Sequence, residues 1–247
     1  MVRRGTFFVN RDAAIPALKR GEFDHERSRT LRQAAQELYT AQPLVPRFMM
    51  KWRPRICPFD AVIDAVPEDS EVLDVGCGAG LMLNLLASSG KIRRGVGFDL
   101  STEAVEVANR AASAKSLNVR FDAIAAEDDW PTSDRPDGLY DAVTMVDLVH
   151  HLTPSIQGEI IRRAAEQVAP GGRLVYKDMR GGGLLRPHCN RLHDLVVARD
   201  WIHFCDEQTV VDAAVAAGLR AIERRWFNTL WYGHVLLVFE RPGSDQA

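Results

Sequence analysis

Val72-Leu73-Asp74-Val75-Gly76-Cys77-Gly78-Ala79-Gly80 runs a short apolar strand straight into three alternating glycines. Together with Glu71, residues 72–75 read as a buried strand, and glycine directly after it lets the backbone turn sharply and approach a ligand closely. In an open α/β sheet that ligand lies beyond the C-terminal ends of the strands, at the topological switch point. The spacing narrows the chemistry. Dinucleotide-binding loops use G-x-G-x-x-G to seat a pyrophosphate on a helix N-terminus, whereas here the glycines are Gly76, Gly78 and Gly80, and Leu81 follows. Asp74, just before the loop, suits an ammonium group better than a pyrophosphate.

Working outward, residues 81–88 read as a helix closed by Gly90, and 94–99 as a second strand. Residues 102–114 form an alanine-rich helix with Ser101 placed as its N-cap. Further strands are expected at 118–124, 140–146 and 173–177, with a helix at 154–168 and a turn at Pro170-Gly171-Gly172. After a helix at 207–217, two extended stretches at 220–226 and 234–240 read as an antiparallel hairpin. Strands alternating with helices imply right-handed crossovers and a mostly parallel sheet covered on both faces. The expected fold is α/β: a Rossmann-like, doubly wound, seven-stranded sheet with an antiparallel C-terminal hairpin and a helical N-terminal cap.

Composition agrees with a globular chain: 247 residues, 46% hydrophobic, 26% charged, net charge −2. No apolar run is long enough to span a bilayer, and the N-terminus lacks the apolar core of a secretory signal. Four dispersed cysteines without a CxxC pair argue against a zinc knuckle or disulfide framework. A reduced, cytoplasmic setting is expected, with peripheral membrane attachment as an option. The small net charge hides an asymmetry. Residues 1–60 hold twelve Lys and Arg against six Asp and Glu, and the remainder is acidic. Residues 1–60 are therefore read as a basic helical cap involved in substrate recognition, helical near 26–39 and then broken by prolines 43, 46, 54 and 58. The cap is expected over the open edge of the sheet formed by 61–247.

The second strand ends at Asp99, nineteen residues past Gly80, where a carboxylate can accept both ribose hydroxyls. Glycine loop, Asp74 and Asp99 together suit a nucleoside carrying an amino acid. In these features, and in the run Tyr140-Asp141-Ala142-Val143 to His150-His151, the sequence resembles class I S-adenosylmethionine-dependent methyltransferases, clearly over about residues 60–180. The resemblance implies S-adenosyl-L-methionine as cofactor, with Asp74, Gly76 and Cys77 beside its methionine part. It implies further that Gly78 and Gly80 form the tight loop, Asp99 holds the ribose, and Leu100 packs on adenine. Glu127 or Asp128 would meet the adenine amine, and Met145 and Val146 would border the cofactor.

Methyl transfer from a sulfonium needs chiefly an acceptor held close and aligned, with a general base where the acceptor must lose a proton. Candidates are His151 after the fourth strand, Asp178 after the fifth, and His193. If helical, Asn190, His193 and Asp194 share one face; a buried hydrogen-bond network would look the same. Metal-dependent O-methyltransferases resemble this fold and place carboxylates after strands four and five. Asp147 and Asp178 sit near those places, but Met179 replaces the expected Asn, so no metal site is expected.

Arg47-Phe48-Met49-Met50-Lys51-Trp52-Arg53-Pro54-Arg55 interleaves four bases with apolar groups and has no acid. The segment reads either as a cap with snorkelling bases or as a docking surface. As a docking surface it suits a membrane interface or an acidic carrier protein. Nucleic acid is disfavoured by the acidic remainder. Trp226, Trp231 and Tyr232 could line an apolar acceptor pocket or simply pack the sheet edge. The expected activity is methyl transfer to a small-molecule, lipid-like or carrier-bound acceptor. An NAD-dependent oxidoreductase and a non-catalytic cofactor- or partner-binding module are the alternatives.

Overall fold

The computed structural model describes residues 15–180, 203–229 and 232–243. Eight strands form one sheet: β1 (Lys19–Arg20), β2 (Ser70–Val75), β3 (Ile92–Asp99), β4 (Val119–Ala123), β5 (Tyr140–Val146), β6 (Val168–Met179), β7 (Arg220–Thr229) and β8 (Tyr232–Glu240). The helices are α1 (His25–Leu38), α2 (Leu44–Ile56), α3 (Phe59–Ala65), α4 (Leu81–Ser88), α5 (Thr102–Ser113), α6 (Pro154–Glu166) and α7 (Glu207–Ala216).

The strand order is β1-β7-β8-β6-β5-β2-β3-β4, with β8 antiparallel to both β6 and β7. From β2 the chain winds one way through β3 and β4, then returns to wind the other way through β5 and β6. The switch point therefore falls between β2 and β5, where a ligand crevice is expected. All six residues of β2 are buried, as a central parallel strand requires. Its alternation sends Val72 into one apolar layer with Leu83, Leu86 and Phe121, and Leu73 and Val75 into the other with Ile160, Ile161 and Val210.

Three expectations change. The sheet has eight strands, because Lys19–Arg20 pairs in parallel with Arg225 and Trp226 at the β7 edge. Two residues are too few to leave an alternating signature, and Gly21 secures them by donating to the Trp226 carbonyl at 2.8 Å. Second, the prolines do not break residues 44–56, which form α2. Pro46 lies in the first turn, where the missing N–H has no intrahelical partner anyway, and Pro54 lies in the last turn. The Pro54 carbonyl takes a hydrogen bond from the buried Ser28 hydroxyl at 2.7 Å. Third, Pro170-Gly171-Gly172 is no turn between elements. It is an irregularity inside β6, where the register with β5 shifts between Tyr140 and Ala142 and Gly171 donates to the Arg241 carbonyl at 2.9 Å.

The leader contributes to the same core as the sheet. Ala35, Leu38, Tyr39, Met50, Cys57 and Phe59 join the apolar cluster that holds α4 and α5. α1 begins cleanly because the Asp24 carboxylate caps it, accepting from Glu26 and Arg27 at 2.9 Å each. No described helix is long and apolar enough to cross a membrane.

Candidate functional site

The glycine loop turns immediately beyond β2. Gly76, Gly78 and Gly80 all have positive φ, at 70°, 53° and 75°. Two of them are also needed for space. A Cβ on Gly76 would meet Leu148 Cδ1 at 2.5 Å, and one on Gly80 would meet the Ala108 Cβ at 2.7 Å. Gly78 differs, since a Cβ there would find nothing within 4 Å. The loop is open at that point, and a ligand can approach the backbone.

Three tethers fix the loop. The Gly76 and Cys77 amides both donate to the Phe98 carbonyl at 2.9 Å. Gly78 donates to Asp99 Oδ2 at 2.8 Å, while Ser101 donates to Oδ1 at 2.9 Å. The fully buried Tyr39, from the end of α1, donates its hydroxyl to the Ala79 carbonyl at 2.5 Å and accepts from Asn84 Nδ2 at 3.1 Å. Each Asp99 oxygen thus accepts one amide and keeps a lone pair for another donor. Leu100 beside it is 77% exposed, an apolar face awaiting a cover. Burial pushes the Cys77 thiol well up, so it sits in the loop as a neutral wall.

Asp74 lies at the switch point, fully buried, and accepts from the Thr144 hydroxyl of β5 at 2.6 Å. Burial raises it to about 7. Met145 and Val146 close β5, both buried. After β4, Glu127 and Asp128 are exposed on a turn. That turn is held by the Trp130 indole and the Arg163 guanidinium, which both donate to the Ala126 carbonyl at 2.9 Å.

On the other side of the switch point stands a cluster the sequence does not reveal. Asp147 adopts φ 56°, the left-handed region, at the end of β5. Its carboxylate receives Lys177 Nζ at 2.5 Å and Arg53 Nη2, from α2, at 3.3 Å. Lys177 is completely buried. Burial works to raise Asp147, but Lys177 and Arg53 outweigh it and hold the carboxyl below its usual range. Burial, reinforced by Lys177, brings nearby His234 down to about 3, so its ring is neutral.

Of the candidate proton acceptors, Asp178 is buried and crowded. It pairs with the His150 ring and accepts from the backbone amides of His150 at 3.1 Å and Met179 at 2.6 Å. His151 is exposed, its ring 4.1 Å from that of His150. His193, with Asn190 and Asp194, lies outside the described residues. Trp231 does too, whereas Trp226 lies in β7 under the Arg20 guanidinium. Tyr39, Arg53 and Lys177 are the site residues that motif reading passes over. The one available signal is Lys177, a charge directly after the apolar run Leu174-Val175-Tyr176 and beside Asp178.

An open α/β sheet with a glycine loop, an acidic residue at its root and a second at the end of the next strand is the arrangement expected of a nucleoside site. A family model for the methyltransferase domain matches residues 23–224. The chain belongs to that family of methyltransferase domains. A ubiquinone biosynthesis O-methyltransferase from Burkholderia orbicola is 36% identical over 107 residues, covering 43% of each chain. The match thus spans less than half the length of such curated relatives. Among solved structures, magnesium protoporphyrin IX methyltransferase from Synechocystis, with bound SAH, aligns with a TM-score of 0.60 at 18% identity. That alignment covers 86% of this chain and 94% of the other. An N-methyltransferase from Bradyrhizobium japonicum aligns with a TM-score of 0.56 at 18% identity, covering 74% and 94%. These two likenesses establish the fold alone.

Tyr39→Phe leaves the Ala79 carbonyl without its donor, an unsatisfied buried group worth about 1–3 kcal/mol. Urea unfolding should show a loss of that size, and calorimetry a weaker affinity for S-adenosylmethionine as the loop loosens. Equal affinity in the variant would show that the loop keeps its shape without this tether.

Proposed function

We propose that this methyltransferase moves a methyl group to an oxygen of a small, largely apolar acceptor, chiefly by holding the two reactants in line. The cofactor half of the proposal rests on one observation: Asp99 clamps the Gly78 amide beneath open space while keeping lone pairs for ribose hydroxyls. In this reading Leu100 covers the adenine, Glu127 or Asp128 receives its amine, and Asp74 faces the ammonium end. When bound, the cofactor supplies a methyl group already activated on a sulfonium, so alignment accounts for most of the barrier lowering.

Two features favour an oxygen acceptor. The curated relatives are named O-methyltransferases. In addition, the cluster at the ends of β5 and β6 brings two cations, Arg53 and Lys177, to the Asp147 carboxylate. In this reading those two bases help an acceptor oxygen to give up its proton. His151 and His193 are the rings proposed to take it. Asp178 acts as a positioning residue through His150. A lipid-like acceptor gains support from α2, whose Leu44, Val45, Phe48 and Met49 are exposed together, with Arg47 and Lys51 alongside. That ridge suits a bilayer surface better than an acidic carrier, because its centre is apolar.

Asp99→Ala removes the ribose acceptor and the Gly78 clamp together. Calorimetry should show S-adenosylmethionine affinity falling at least about tenfold, roughly the 1.5–3 kcal/mol of a hydrogen bond to a charged group, with the circular dichroism unchanged. Undiminished affinity would remove Asp99 from the cofactor site.

Asp74 makes cofactor binding depend on pH. With its pKa raised to about 7, it is partly protonated at neutrality, and an incoming ammonium stabilises the ionised form. Affinity should therefore fall as pH drops below 7, with up to one proton released per cofactor bound. Calorimetry in buffers of differing ionisation enthalpy measures that proton. Asp74→Asn should bind more weakly and show no such release.

With labelled methyl donor and host extract, label should appear in the lipid or small-molecule fraction, on an ether oxygen. Label confined to protein or nucleic acid would contradict the proposed acceptor.

A further inference from the structure

We propose that a cavity between α1, α2 and the end of β7 is an anion site for a small organic phosphate, separate from the methyl-transfer site. The cavity has a volume of about 350 Å³, and its lining includes Arg29, Arg32 and Arg55 together with His25, Phe23 and Thr229. Among the described residues no carboxylate lines it.

The pairing of the leader's arginines is selective. Arg27 makes a two-pronged contact with Asp64, at 2.6 and 2.8 Å. Arg53 turns inward to Asp147. Arg29, Arg32 and Arg55 have no carboxylate partner among the described residues. Two of these three are held in place by one ring, since the Arg32 and Arg55 guanidinium carbons lie 4.2 and 5.7 Å from the Trp52 centroid. Such stacking fixes a guanidinium while leaving its N–H groups available to a ligand. Arg32 Nε is moreover sealed from water without any acceptor, an unmet demand that a bound anion can answer.

Charge selects the ligand class. Three planar donor forks converge on one cavity, and a phosphate monoester, close to dianionic at neutral pH, balances them better than a single carboxylate. The volume leaves room for an organic substituent beside the phosphate, and the Phe23 ring, edge-on to His25 at 5.1 Å, supplies an apolar wall for it. The site is distinct from the transfer centre because Arg53 and Arg55, two positions apart on α2, point to opposite sides of that helix.

Titration calorimetry with glycerol 3-phosphate, at constant ionic strength set with chloride, tests the proposal on the whole chain. Saturable binding to one site is expected. Arg29→Gln and Arg55→Gln, both at exposed positions, should each weaken it at least fivefold. Neither should change S-adenosylmethionine affinity more than twofold, which also reports on folding. Arg110→Gln, on α5, should bind like the parent. Absence of saturable heat at millimolar concentrations overturns the proposal, as do parental affinities in both cavity variants. So does retention on phosphatidic acid vesicles that depends on Arg29 while glycerol 3-phosphate gives no saturable heat, since the cluster would then be a bilayer contact.

Discussion

Lys177 is a fully buried cation within a sheet, and the arrangement around it follows from that fact. A charge taken out of water this completely has to be paired and hydrogen-bonded. Its partner, Asp147, reaches it only by taking up left-handed backbone at the end of β5, a conformation ordinary residues avoid. The β5–β6 ladder survives the distortion, because the Asp147 amide still donates to the Lys177 carbonyl at 2.9 Å. Arg53 then brings α2 to the same carboxylate. One acid thus joins β5, β6 and the leader, and losing either partner of a buried pair costs about 3–5 kcal/mol. The leader is held to the sheet at the rim where the transfer site is proposed.

The glycine loop is tied by similar means from the opposite side. β3 supplies the Phe98 carbonyl and the Asp99 carboxylate, and α1 supplies Tyr39. Thr144 on β5 meets Asp74 on β2 across the switch point. The two halves of the sheet are therefore coupled at the place where, in the proposed function, cofactor and acceptor are held in line. Pre-set geometry of this kind lowers a barrier without any group having to move during the reaction.

The central fold was legible because its signals are local. Glycines follow a buried strand at 76–80, Ser101 caps α5 by accepting from the Ala104 amide, and the C-terminal hairpin is two extended stretches close together in sequence. What escaped depends on distant partners. β1 exists only because β7 offers a free edge, and α2 survives its prolines because they fall in its end turns. The basic leader shows the limit most clearly. Spacing cannot tell Arg27 from Arg29, yet one is claimed by Asp64, 37 positions away, while the other lines a cavity. Arg53 finds its acid 94 positions on. Charge counting located the unusual segment, and only three-dimensional pairing separates its structural bases from its available ones.

That sorting also gives the rim of the sheet an electrical direction. At the ends of β2 and β3 stand two carboxylates, Asp74 and Asp99, suited to a cofactor that carries a sulfonium and an ammonium. At the ends of β5 and β6 two bases, Lys177 and Arg53, meet Asp147, while the Asp178 carboxylate pairs with His150. A neutral amine acceptor would gain positive charge as it took the methyl group, and would do so beside those two bases. An oxygen acceptor that has shed its proton arrives negative, is drawn toward Lys177 and Arg53, and has its charge quenched on transfer. In the proposed reading the same two bases also lower the pKa of the acceptor hydroxyl, so a weak base suffices. The placement of Asp74, Asp99, Lys177 and Arg53 is thus the ground on which an oxygen acceptor is proposed ahead of a nitrogen one.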